Sequence, residues 1–204
     1  MNVLRTLLAS SILLVIGGTV LMGATDRFQA FTTETARRID IREHPRQVPP
    51  AILQTQTGAQ INLTDLRGSW LLVDFIYTRC LTYCSLLGGE FAQLQTQLAT
   101  PIKEGKLRLL SISFDPTHDK PPQLAAYLEI HRDHGTGWLA ARPVDTDELT
   151  RLEQVFGVTV ISDGLGGFVH NAAIGIVNPQ GQLVEIFPLG NPEPVGRAVL
   201  QYMQ

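Results

Sequence analysis

The chain has 204 residues, with 16 Lys or Arg against 19 Asp or Glu and a formal net charge of −3. That balance, with no basic stripe interleaved with aromatics, excludes nucleic acid as a partner. Three methionines exclude a Met-rich metal-carrying surface, and two cysteines in a chain long enough to bury a core are not needed as a structural staple.

In chain order, Leu7 to Ala24 runs eighteen residues without a charge, between Arg5 and Asp26-Arg27. This is the short end for a membrane span and longer than a usual signal-peptide core. Bulky Met22 spoils a small-residue cleavage site, so 1–24 reads as an uncleaved membrane anchor rather than a cleaved signal. Basic residues lie on both sides (Arg5 before; Arg27, Arg37, Arg38 and Arg42 after), so they do not decide its orientation. Segment 25–48 mixes charges and leads into Val48-Pro49-Pro50, which marks it as a tether with a short helix over Thr33–Ile41. A single domain over 49–204 follows.

Within the domain, Ile52–Ile61 carries Thr-Gly at its middle and predicts a hairpin, and Leu63–Gly68 predicts a turn. Leu71–Tyr77 is apolar and β-branched or aromatic except at Asp74, as suits a central strand covered on both faces. Asp74 is then either a buried proton carrier or a residue on a solvated edge. Cys80 and Cys84 fall where this strand gives way to a helix whose Leu87, Phe91, Leu94 and Leu98 share one face, with Pro101 as its stop. Lys106–Phe114 is a second long strand, broken by Asp115-Pro116, and Pro121–His131 is a helix. Trp138–Ala141 is a short strand, Asp145–Phe156 a helix capped by Asp145 or Thr146, and Ser162–Gly167 a glycine-rich loop. Asn171–Val177 and Gln182–Phe187 pair around the turn Asn178-Pro179-Gln180-Gly181, and Pro192–Met203 is the last helix. This is the order of a thioredoxin-like α/β fold with an N-terminal β-hairpin extension, preceded by a single N-terminal transmembrane helix.

The chemistry centres on the cysteines. A thiol at a helix N-terminus feels the positive end of the macrodipole, which favours thiolate. Sulfurs four residues apart can form a disulfide or grip one soft metal ion together. A purely structural bridge over so short a loop removes little unfolded-state entropy. A close cysteine pair on a membrane-tethered domain points to an oxidising, extracytoplasmic side. Among the other groups, His131 and His134 read as a surface pair, His118 belongs to a charged turn and His44 to the tether, while Asp115 braces the cysteine loop through backbone hydrogen bonds.

Phe75-x-Tyr77-Thr78-x-Cys80, three residues and Cys84 resemble the Sco/SenC family, thioredoxin-fold copper proteins that help assemble the copper site of cytochrome c oxidase. Asp115 in SISFDPTHD, His170 in FVHNAAIGIVNPQG and the N-terminal span agree, and the resemblance covers Pro49 to Tyr202. The chain departs from the family at Leu81 and Ser85, where proline usually follows each cysteine. The resemblance implies copper, Cu(I) or Cu(II), held by Cys80, Cys84 and His170. Two thiolates select Cu(I) and an imidazole also suits Cu(II), whereas structural zinc normally takes a fourth ligand. Gly164, Gly166 and Gly167 would let a loop swing His170 over the cysteines. The implied function is a membrane-tethered copper metallochaperone. Its partner is a copper-receiving subunit of a respiratory oxidase or another copper or thiol protein. The implied location is a bacterial cytoplasmic membrane, with the domain facing the periplasm. The alternative is a thiol–disulfide oxidoreductase in which Cys80 and Cys84 are catalytic and His170 is incidental. A peroxidase is disfavoured, because Leu81 stands where that pattern wants Thr three residues before Cys84.

Overall fold

The structure, a computed structural model, describes residues 2–24, 32–80, 83–131, 137–164 and 166–204. For Asn2, Leu4, Ala24, Tyr83, Cys84 and Ser85 it describes the backbone alone. Residues 25–31 of the tether, Leu81, His134 and the Cys84 and Ser85 side chains therefore lie outside the described residues. The chain divides into two units, up to Glu43 and from His44 to Gln204.

The first unit holds α1 (Asn2–Ala24) and α2 (Thr33–Glu43). Within α1, the 19 residues Arg5–Gly23 have a mean hydropathy of 2.0, long and apolar enough to cross a membrane.

The second unit opens with β1 (Arg46–Gln47), β2 (Ile52–Thr55) and β3 (Gln60–Asn62). A 3-10 turn, Leu63–Leu66, is boxed by Asn62 and Asp65 and feeds β4 (Trp70–Ile76). Then come α3 (Tyr83–Gln97), α4 (Ala99–Lys103), β5 (Leu107–Ser113), α5 (Pro121–Ile130) and β6 (Trp138–Pro143). The remainder is α6 (Thr146–Phe156), β7 (Val160–Ser162), β8 (Phe168–His170), β9 (Ala173–Val177), β10 (Gln182–Pro188) and α7 (Pro192–Tyr202). Asp145 caps α6 through the N–H groups of Asp147 and Glu148, as its sequence position predicts.

Eight strands form one sheet in the order β1-β10-β9-β4-β5-β6-β2-β3, with β4, β5 and β6 parallel. The β2–β3 hairpin adds to the β6 edge, as the extension expected of this thioredoxin-like fold. Side chains alternate along β4, and that alternation sorts the helices. Phe75 faces Phe156 of α6, with ring centroids 5.2 Å apart. Trp70 stacks on Tyr202 of α7 on the opposite face, where Trp138 of β6 also packs between Phe91 of α3 and Tyr127 of α5. Asp74 belongs to this second face, beneath α3, and it is fully buried. The solvated-edge reading of Asp74 is therefore wrong, because β9 and β5 cover both flanks of β4.

One other expectation is corrected. Pro101 does not end the helix of the cysteines. α3 stops at Gln97, and Pro101 sits in the first turn of α4, where its missing N–H has no intrahelical acceptor to lose. The residues flanking the glycine-rich loop, left without regular elements by the sequence, form two short strands. β7 pairs with β8 in the register Val160↔His170, Ile161↔Val169 and Ser162↔Phe168. Three-residue strands carry too little alternation to be read as strands from sequence.

Candidate metal centre

Parallel β4 and β5 deliver their C-terminal ends to one edge of the sheet, the usual place for a site in an open α/β fold. Cys80 follows β4 in the connecting loop, its N–H donating to the Tyr77 carbonyl at 3.2 Å. It is half-buried and precedes the first residue of α3 by three positions, so only the Cys84 backbone lies inside that helix.

Carboxylates after β5 fasten this loop. The Thr78 N–H donates to Asp119 Oδ2 (3.0 Å), the Thr78 hydroxyl to Asp119 Oδ1 (2.6 Å), and the Ser113 hydroxyl to Asp119 Oδ2 (2.6 Å). Asp119 is fully buried. The neighbouring Asp115 takes an N–H from Arg79 at 2.8 Å and meets His118 Nδ1 at 2.9 Å. Burial alone would raise the Asp115 carboxyl, but the hydrogen bonds and charges of His118 and Arg79 outweigh it and hold the group below the ordinary range. Asp115 thus braces the loop, through the Arg79 side chain rather than through backbone bonds. The backbone brace is Asp119, which nothing in its local sequence singles out.

The second wall of the site is aromatic. The Tyr77 hydroxyl donates to the Phe168 carbonyl and accepts from the Phe168 N–H, each at 3.3 Å, which ties β8 to the residue three before Cys80. Tyr77, Phe114 and Phe168 pack mutually with centroids 5.2–5.6 Å apart. His170, two residues along β8, sets its ring against Phe114 at 4.9 Å. Burial pushes this imidazole below its ordinary pKa, so it is neutral, the ligating form, at physiological pH. The structure therefore brings His170 to the edge that carries Cys80 on a clamped hairpin, not on a swinging loop. Among the described residues, no three His, Cys, Asp or Glu side chains already converge on one point.

Two further groups lie under α3. Asp74 closes no hydrogen bond among the described residues, although the adjacent Ser111 hydroxyl, which accepts from Trp138 Nε1 at 3.0 Å, favours its charged form and partly offsets the effect of burial. Burial, with a smaller contribution from Glu90, pushes Asp74 up to about 7. Glu90 on α3 is also raised by burial. Its Oε1 accepts from the Gly190 N–H at 2.6 Å, while its Oε2 is buried without a partner. His131 is half-buried, with its ring packed on Tyr127 at 4.6 Å, beside Trp138. Sequence position marked Asp74 as unusual, but Glu90 and His131 needed the tertiary packing.

A family model described as SCO1/SenC matches residues 39–204. The chain belongs to the SCO1/SenC family. A protein of Stutzerimonas stutzeri named for copper binding is 28% identical over 187 residues, 90% of this chain and 88% of its own length. BsSco, described as a member of the Sco family of cytochrome c oxidase assembly proteins with a disulfide switch, is 24% identical. Its structure superposes with a TM-score of 0.67 over 78% of this chain and 94% of its own. Bradyrhizobium japonicum ScoI, solved with copper bound, has a TM-score of 0.63 at 20% identity, covering 76% of this chain and 99% of its own. These likenesses confirm the thioredoxin-like fold of this Sco/SenC chain.

The buried carboxyls give a pH test. A raised folded-state pKa stabilises fully below the unfolded value near 4, and the contribution is lost as pH rises through about 7. Between pH 6 and 8 the unfolding free energy of the wild type is expected to fall relative to Asp74→Asn by on the order of 1 kcal/mol. His131 and His170, both depressed by burial, tilt the profile the opposite way, but equally in both proteins. Parallel pH profiles in urea unfolding would show that Asp74 does not hold a proton in the fold.

Proposed function

We propose that this Sco/SenC chain is a membrane-tethered copper metallochaperone whose cargo is held by Cys80, Cys84 and His170. The observation that carries this reading is the Tyr77 clamp. It ties the hairpin that carries His170 to the strand end that leads into the cysteine loop, which supports His170 as the third donor. Copper-bound ScoI and the copper-named Stutzerimonas relative support the choice of cargo. The donor chemistry agrees: two thiolates suit Cu(I), and the added nitrogen accommodates Cu(II). Loading Cu(I) on two thiols releases two protons, and the ion leaves when a partner's donors replace these ligands one at a time. The partner in this reading is the copper-receiving subunit of a respiratory oxidase or another copper or thiol protein. The apolar helix α1 anchors the domain, with the periplasmic side as its working compartment.

A second reading rests on Asp74. A buried carboxyl titrating near neutrality, in the strand that leads to Cys80, suits a group that takes up a thiol proton. In that reading Cys80 and Cys84 pass two electrons and two protons to a partner disulfide and become a disulfide themselves. The disulfide switch of BsSco favours keeping this reading.

The two readings part at His170. Reduced protein is expected to bind one Cu(I), and Cys80→Ser or Cys84→Ser should lower that affinity by about 100-fold or more. His170→Ala should shift and weaken the thiolate-to-Cu(II) absorption band, weaken Cu(I) binding only modestly, and leave thiol–disulfide exchange near normal. An unchanged Cu(II) spectrum would make His170 incidental and put the oxidoreductase reading ahead.

For the anchor, full-length protein is expected to stay with membranes after carbonate washing. Recovery of mature protein beginning near Thr25 in the soluble fraction would contradict an uncleaved span.

A further inference from the structure

On the other side of the cysteine loop from the β7–β8 hairpin lies a cleft of about 250 Å³ lined by Thr78, Cys80, Gln123, Ala126, Tyr127, Ile130 and His131. Cys80 and His131 thus share an open space, and that space does not include His170. We propose that this cleft is a second copper position, in which His131 takes over from His170 as the imidazole donor beside Cys80 while the ion enters or leaves. The inference rests on the copper reading above.

Three observations carry it. First, α3 makes room for the imidazole. A Cβ placed on Gly88 would lie 2.3 Å from His131 Nε2, closer than atoms can approach, so only glycine leaves this cradle open. Gly88 lies one helical turn beyond Cys84, so the ring's Nε2 edge rests on the helix that carries the second cysteine. Second, the ring is positioned with Nε2 packed against Gly88, which leaves Nδ1 as the nitrogen that can act as a donor. Tyr127 holds it edge-on at 4.6 Å, and among the described residues no group hydrogen-bonds either nitrogen. A histidine serving only as packing filler gains nothing from an unused Nδ1 in the cleft that Cys80 lines. Third, the cleft opens at the surface beside Ile130, which is 74% exposed, so an incoming donor side chain can reach Cys80 from this side.

The chemistry follows from ligand exchange. A Cu(I) ion held by two thiolates tolerates replacement of its third ligand without losing the first two. His170 on the clamped hairpin and His131 in the open cleft offer imidazoles on opposite sides of one cysteine loop. Moving from the first to the second carries the ion to the face where a partner's donor can meet it. No redox step is involved, and no proton moves, since both imidazoles are neutral ligands.

The test uses His170→Ala, which leaves the second position as the sole imidazole option. One equivalent of Cu(I), which is diamagnetic, is expected to shift a ring-nitrogen resonance of His131 in long-range ¹H–¹⁵N spectra of this variant. Adding His131→Phe, which keeps an aromatic ring against Tyr127, should lower Cu(I) affinity by about a further tenfold in chelator competition. His131→Gln guards against misfit of the phenyl ring and should give the same loss, with thermal unfolding of each single variant as the folding control. Unmoved His131 resonances, or double variants that bind Cu(I) as well as His170→Ala alone, would overturn the proposal while leaving the copper reading intact. Wild-type protein that binds no Cu(I) would overturn both.

Discussion

At the end of β4 the Asp119 carboxylate takes three hydrogen bonds, two from Thr78 and one from Ser113, and the placement of Cys80 depends on them. Without a fixed Thr78 the loop after the central strand would have no reason to hold a thiol at the sheet edge. A buried carboxylate that satisfies a backbone N–H and two hydroxyls is costly to leave unpaired, by about 1–3 kcal/mol per lost partner. The arrangement is therefore locked from both sides. The Arg79–Asp115–His118 cluster adds a second, more exposed tie across the same gap.

The opposite wall is built from the same strand. Tyr77 is the last residue before the cysteine loop, and its hydroxyl both donates to and accepts from the Phe168 backbone. One tyrosine thus registers the small β7–β8 sheet against the large one, and His170 inherits its position from that register. Beneath the cysteine loop, burial raises the carboxyls of Asp74 and Glu90 above their ordinary range. The site is a set of polar ties on an aliphatic and aromatic platform, and each tie joins elements far apart in sequence.

That long-range character decides what could be read from the sequence. The central strand, the helix after the cysteines, the Asp145 cap and the β9–β10 hairpin all carry local signals, namely an apolar run, a repeated face, a capping side chain or a Pro-Gly turn. Cys80, Cys84 and His170 stand out in the sequence by their spacing and by the family pattern, and their joint role as ligands is the proposal made above. The hairpin that carries His170 does not stand out, because strands of three residues flanking glycines become strands only when Tyr77 and a partner strand are present. Asp119 and Glu90 have no local mark at all, since an acid in a turn or on a helix is ordinarily solvated. The half-burial of His131 has no local mark either, because the glycine that its ring packs against, Gly88, lies 43 positions earlier.

The central claim is that the clamp on β8 and the ties on the cysteine loop bring two sulfurs and one nitrogen to a single ion. Copper K-edge X-ray absorption on the reduced wild-type protein loaded with one equivalent of Cu(I) addresses it most directly. The account predicts a nearest shell of two sulfurs at thiolate distance together with one imidazole nitrogen. A shell of nitrogen and oxygen without sulfur, or of sulfur alone, would contradict it.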